Sequence, residues 1–258
     1  ENNKGLKKGI NQRIYSKSYR KYAGKYNLYF YGTVNCESGT VTVATLEINF
    51  AKEEAVTMKI ATSEGGEKLY YGDLQISEMS PNVFIVLNSD FGEQVSLTFY
   101  DEPMNCETFQ CAVGAMLSIS AGDLKRAPVL NRFIITGYDV DEAHMKFIKA
   151  HLKLNTKYID ISPEMLSTSV EGVFGKCEMA DRITDRLKKA FYSKRYYAIE
   201  DSFIVNTLRK DENLSLLQAD ELIAELRNNS LSNINFKINK SLDSTVYRCT
   251  NPKNISQE

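Results

Sequence analysis

The sequence has no tryptophan, only two histidines and an odd number of cysteines. Each shortage excludes something. The five cysteines (Cys36, Cys106, Cys111, Cys177 and Cys249) include no Cys-x-x-Cys pair and none sits near a histidine. That argues against a structural zinc site and against a disulfide framework, and reduced thiols are the simplest account. His144 and His151 fall on one predicted helix about 10 Å apart along its axis, too far for a two-residue metal clamp. No apolar run approaches the ~20 residues of a membrane-spanning helix, and no signal-peptide pattern opens the chain. Its start at Glu1 rather than Met is compatible with removal of an upstream segment. There is no Walker loop, no Gly-rich dinucleotide loop and no nucleophile elbow. The expectation is a cytoplasmic protein with no catalytic residue, no metal and no cofactor.

Charge is balanced in total but not along the chain. Of the 258 residues, with net charge −1, the first 25 carry eight Lys and Arg against one acid, so this arm holds +7 and the remainder −8. A basic arm on a mildly acidic body suits nucleic acid, an anionic surface or an acidic partner, and it suits equally a solvated basic tail.

From Tyr26 to Tyr138 the apolar pattern has period two. Strands are predicted at 26–33, 40–50, 55–62, 68–77, 83–88, 94–100, 109–120 and 128–138, rich in β-branched and aromatic residues. Turn chemistry separates them, as at Glu37-Ser38-Gly39, Ser80-Pro81-Asn82 and Asp90-Phe91-Gly92. Eight consecutive strands without an intervening helix make a meander, and closing it removes the two open edges. Tyr26, Leu28 and Phe30 share one face, as do Ala44, Leu46, Ile48 and Phe50; Val56, Met58 and Ile60; and Val95, Leu97 and Phe99. These are the expected inward residues.

After Tyr138 the period lengthens. Helices are predicted at 141–153, from Pro163, at 177–192, at 199–209 and at 215–228 with Ser215 as cap. The first would face inward with Ala143, Phe147, Ala150 and Leu154, and the last with Leu217, Leu222, Ile223 and Leu226. Asp139, Asp141 and Glu142 complement a helix start rather than forming an acid–base pair. Residues 234–250 read as two short strands around a Ser-Leu-Asp-Ser turn. The fold class is therefore α+β: a basic arm over 1–22, an eight-stranded antiparallel up-and-down barrel over 23–138, and a mainly helical region over 139–258 ending in a short β-ribbon. Helices followed by a ribbon also fit a winged helix, but Asp220, Glu221 and Glu225 against Arg227 make a poor DNA-reading helix.

Two residues carry a family resemblance. Gly24-x-Tyr26 at the first strand and Arg132 on the eighth resemble the lipocalin-like (calycin) barrels, in which an Arg of the last strand crosses the aromatic ring of a Gly-x-aromatic step. Tyr stands here for the family's usual Trp. The basic arm leading into this barrel, over about residues 20–138, also resembles the β-barrel cyclic-nucleotide sensors of bacterial CBASS anti-phage effectors. Those carry two membrane helices ahead of the barrel, which this sequence lacks. The resemblance implies an eight-stranded barrel and a nucleotide-sensing role, and it transfers no binding residue.

The leading expectation is thus a non-enzymatic sensor whose barrel binds a small ligand of the nucleotide second-messenger kind, with Tyr26, Tyr29, Tyr31, Tyr70, Asn131 and Arg132 as contacts. A tyrosine offers a flat apolar body for stacking and one polar tip; the plain alternative is ordinary strand and surface tyrosines. The C-terminal helices would signal, dimerise or hold a protein partner. The competing expectation is a nucleic-acid-binding or scaffold protein using the basic and aromatic stretches 1–25 and 182–197. Its contacts would be Lys7, Lys8, Arg13, Arg20, Arg186, Lys188, Lys189, Lys194 and Arg195, since such residues suit phosphates and stacked bases.

Overall fold

The alternating segments become eight strands, each pairing antiparallel with the next in chain order, and the first closes on the eighth. The computed structural model describes residues 17–33, 40–62, 65–77, 80–100, 109–120, 126–154, 158–191, 195–232 and 235–237. The strands are β1 (Gly24–Tyr31), β2 (Val41–Ile48), β3 (Val56–Ala61), β4 (Glu67–Ile76), β5 (Asn82–Asn88), β6 (Gln94–Tyr100), β7 (Cys111–Ile119) and β8 (Pro128–Thr136). This is a closed antiparallel barrel, consistent with a lipocalin-like one, and closure leaves few backbone edges for other chains to pair with.

Side chains alternate in and out along every strand. The inward set is the expected one. Leu28, Phe30, Ala44, Leu46, Ile48, Val56, Met58, Leu97 and Phe99 form one buried cluster with Phe133 and Ile135, and Phe50 and Ile60 pack against it. Each fully buried side chain of this kind contributes about 1.5–3 kcal/mol. Outside, β5 to β8 present no charged residue except Arg132, and Phe84, Val86, Val113, Leu117 and Leu130 are exposed there.

The two ends of the barrel differ. A four-residue helix, α1 (Lys17–Arg20), and the turn after it cap the end where β1 begins. Tyr22 is only 1% exposed. Its ring lies 6.0 Å from Phe99 and 5.1 Å from Phe109, and its carbonyl accepts the Tyr26 hydroxyl at 2.9 Å. Lys21 O accepts from Phe109 N, and the Tyr19 hydroxyl accepts from Ile76 N, so α1 and the turn after it are bonded to two rim positions.

β1 pairs with β8 only from Asn27–Phe30 to Phe133–Thr136. The start of β8 takes a different neighbour, β11 (Asn235–Lys237), in the register Asn131↔Asn235 and Val129↔Lys237. This strand begins the segment expected to form a terminal ribbon, and 238–250 lie outside the described residues.

The ribbon that the structure shows stands earlier in the C-terminal region. β9 (Tyr158–Ile161) and β10 (Tyr197–Glu200) pair antiparallel and bracket α3 (Pro163–Phe174) and α4 (Glu178–Phe191). Ile159, Ile161, Tyr197 and Ile199 join a second core with Leu166, Ile183, Leu187, Leu222 and Leu226. The expected helix at 199–209 is a composite: α5 (Asp201–Phe203), a π-helical turn (Ile204–Leu208) and α6 (Arg209–Asp211). Ser162 caps α3, with Pro163 in its first turn, where a missing N–H costs nothing. Ser215 and Gln218 form a reciprocal capping box on α7 (Leu216–Asn228), as Ser215 predicted. Leu217, expected inward, is 64% exposed instead, because it lies in the first turn, outside the face that packs on the core. The α2 helix (Met145–Leu152) likewise buries Ile148, Ala150 and Leu152, while Ala143 precedes it and is exposed.

Candidate functional site

The sequence-predicted contacts do not converge. The six residues lie on β1, β4 and β8, and they divide between the inner and outer faces of these strands. Tyr26 points inward at the capped end, where burial pushes its hydroxyl up to about 12. Tyr29 and Tyr31 point outward, under α2, packed with Ile134, Ile148 and Leu152. The Tyr31 hydroxyl donates to Lys149 O at 2.9 Å, and burial raises its pKa to about 12 as well. Arg132 also points outward and donates to His151 O at 3.3 Å. It therefore does not cross the Tyr26 ring, whose neighbour is Phe109 at 5.3 Å. Burial, then repulsion from Arg227, lowers the Arg132 pKa.

Tyr31 and Arg132 thus act on a helix end. The last four carbonyls of a helix lack intrahelical partners, and Lys149 O and His151 O of α2 belong to that set. The barrel supplies donors for both. Removing one, in Tyr31→Phe, is expected to cost about 1 kcal/mol, read as a lowered urea midpoint with an unchanged slope; a neutral result would mean that α2 does not depend on this bond.

Tyr70 and Asn131 remain inside. Tyr70 lies at the rim opposite α1, where β4, β6 and β8 begin. There its hydroxyl donates to Glu93 Oε2 at 2.7 Å. Lys68, inward two residues before Tyr70, reaches the same carboxylate at 3.4 Å, and Arg126 pairs with its other oxygen. Burial would raise the Glu93 pKa, but the Tyr70 hydroxyl, Lys68 and Arg126 outweigh it and hold the carboxyl below its ordinary value. Burial and the Glu93 contact together push the Tyr70 hydroxyl well up. The tight turn before β6 sets this geometry. Gly92 adopts φ 75° there, Ser89 N donates to Glu93 O, and Glu93 N donates to the Ser89 hydroxyl.

Asn131 is buried on the inner face of β8, in the same half of the barrel. Its Nδ2 donates to Tyr31 O at 3.3 Å, bridging to β1 beyond the last β1–β8 pair. Its Oδ1 has no hydrogen-bond partner among the described residues. A buried acceptor left unpaired is costly, and it marks a place where a donor belongs. Of the cluster around Glu93, Tyr70 was expected, while Lys68, Glu93 and Arg126 were missed; Asn131, also expected, makes no hydrogen bond to it among the described residues. Parity carried a signal for Lys68, which shares the Tyr70 face of β4. For Glu93 the signal was the Asp90-Phe91-Gly92 turn placing it at a strand start.

The competing basic surface is neutralised at two positions. Arg186 pairs with Asp211 and Glu212, and Arg182 with Glu178 and Glu212. The Glu212 hydrogen bond, helped by the Asp211 and Glu212 charges, raises the Arg186 pKa against desolvation. Lys188 is half-buried, and Arg20, Lys189 and Arg195 are exposed. Lys7, Lys8, Arg13 and Lys194 lie outside the described residues. No cluster of metal-ligating side chains occurs among the described residues, and no helix there is long and apolar enough to cross a membrane. Among the described residues, fold and site define a closed eight-stranded antiparallel barrel with one aromatic-capped end, a polar cluster at the other end and an attached helical region. Comparison adds no relative to this description: no family model, no curated protein and no solved structure matches the chain.

Proposed function

We infer that this protein is a binding protein for a small anionic ligand of the nucleotide second-messenger kind, received at the polar mouth of the barrel. The observation that carries the reading is the difference between the two ends. One is closed by Tyr22 and its aromatic neighbours, while the other holds Lys68, Tyr70, Glu93 and Arg126 in one bonded cluster. Two cations against one carboxylate leave the cluster with a surplus positive charge. Buried Asn131 Oδ1 adds an acceptor suited to an N–H of a base. The helical region reads occupancy, because β1 and β8 contact the mouth on one face and α2 on the other.

The test is a thermal-shift panel of cyclic di- and trinucleotides, mononucleotides and short oligonucleotides. Ligand at 100 times its Kd stabilises the native state by about 2.7 kcal/mol. A shift with one cyclic nucleotide, lost in Lys68→Met/Arg126→Met, is the expected result. A shift with oligonucleotides alone, fading steeply with salt, would instead assign binding to the basic stretches.

A further inference from the structure

Glu93 has an unusual position for a structural ion pair. Among the described residues it is the one acid bonded to this cluster, its side chain is 14% exposed, and it engages three donors: Lys68, Arg126 and the Tyr70 hydroxyl. Those three donors, two cationic and one neutral, are what an oxyanion of a ligand needs. A carboxylate and a phosphoryl group offer the same chemistry to them: negative charge on forked oxygens.

Resting on the reading of the mouth as a ligand site, we propose that Glu93 is a built-in stand-in for the ligand's anionic group. The ligand's phosphate takes its place on Lys68, Arg126 and Tyr70, and Glu93 withdraws on the turn that carries it. Two features favour exchange over simultaneous binding. A phosphate beside an ionised Glu93 puts two like charges within one cluster, and their repulsion disfavours binding with Glu93 in place. The carboxylate also sits next to a four-residue turn, Ser89–Gly92, whose Gly92 has left-handed φ. A residue at a strand start can be re-aimed without moving the barrel wall. In the free protein Glu93 keeps the two cations satisfied. It therefore sets a threshold that the ligand's affinity must exceed, and it rejects weak monoanions.

The experiment is calorimetric titration with inorganic pyrophosphate as the probe. Glu93→Gln keeps the shape and the Tyr70 contact but removes the competing charge, and it is expected to bind pyrophosphate at least tenfold more tightly than the unaltered protein. Glu93→Asp shortens the reach and provides an independent variant; it too gains affinity. Glu47→Gln removes an acid paired with Lys52 elsewhere on the barrel and brings no gain. Adding Lys68→Met and Arg126→Met to Glu93→Gln abolishes the gain. Unchanged or weaker binding in both Glu93 variants overturns the proposal and makes Glu93 a ligand contact or a plain structural pair. The two readings separate cleanly. A nucleotide shift in the unaltered protein without a gain in Glu93→Gln sinks the stand-in alone. A pyrophosphate gain without any nucleotide shift sinks the nucleotide reading and leaves the stand-in.

Discussion

Tyr22→Ala is expected to lower the stability of the barrel by about 3–5 kcal/mol, a large share of the ~5–15 kcal/mol that holds a typical domain together. Deleting this ring removes an almost fully buried side chain and leaves a void beside the contacting pair Phe99 and Phe109, whose rings lie 6.0 and 5.1 Å from it. Each edge or tilted aromatic pair contributes about 0.5–1.5 kcal/mol beyond area alone. The loss also frees the turn whose carbonyl accepts the Tyr26 hydroxyl, so a second buried polar group is put at risk. Urea unfolding followed by far-ultraviolet circular dichroism measures it. A loss below about 1 kcal/mol, the size of one net hydrogen bond, would mean that α1 lies on the barrel without closing it.

Gly72→Ala should be as damaging for a different reason. A Cβ at Gly72 would lie 1.9 Å from Val86 O, the backbone of the neighbouring strand. No rotamer change relieves that contact, so β4 and β5 must separate. The expected cost is roughly 3 kcal/mol or more, at the upper end of overpacking. Gly114 is a useful contrast. A Cβ there would meet Thr98 O at 2.3 Å and the Phe133 ring at 2.5 Å. Half of the obstruction is a side chain, so Phe133→Leu should partly rescue Gly114→Ala, whereas no side-chain trimming should rescue Gly72→Ala. Equal rescue of both would show that the barrel wall yields more readily than these distances indicate.

The fold was legible because period-two alternation is dictated locally. Eight segments, their inward faces and the Ser215 cap all follow from near neighbours in sequence. The site was legible only by halves. Parity along a strand tells that Tyr29 and Tyr31 share a face, but not whether that face meets water, the lumen or a helix from another part of the chain. It is α2 that covers them. The family resemblance sets Arg132 across the Tyr26 ring, whereas Phe133 and Ile135 place the inner face of β8 on odd positions and turn Arg132 outward. β10 was hidden because Tyr196 and Tyr197 follow a basic helix and looked like part of its aromatic decoration. The mouth cluster joins residues from three strand starts, and such convergence depends on the stagger of the whole barrel, which no single segment encodes.

The pairing of β8 with β11 has a consequence for how the chain is made. The barrel strands leave the ribosome before the helical region, and domains fold as they emerge. Val129–Asn131 must then wait for Asn235–Lys237 before their outer edge finds its neighbour. At ordinary rates of synthesis the wait lasts on the order of ten seconds. During it the nascent barrel carries an open backbone edge beside exposed Leu130, the kind of template on which strands from other chains add. A message cut short before Asn235 would yield a protein that keeps this edge for good. The last described strand is in this sense a seal, set only after the helical region has been made.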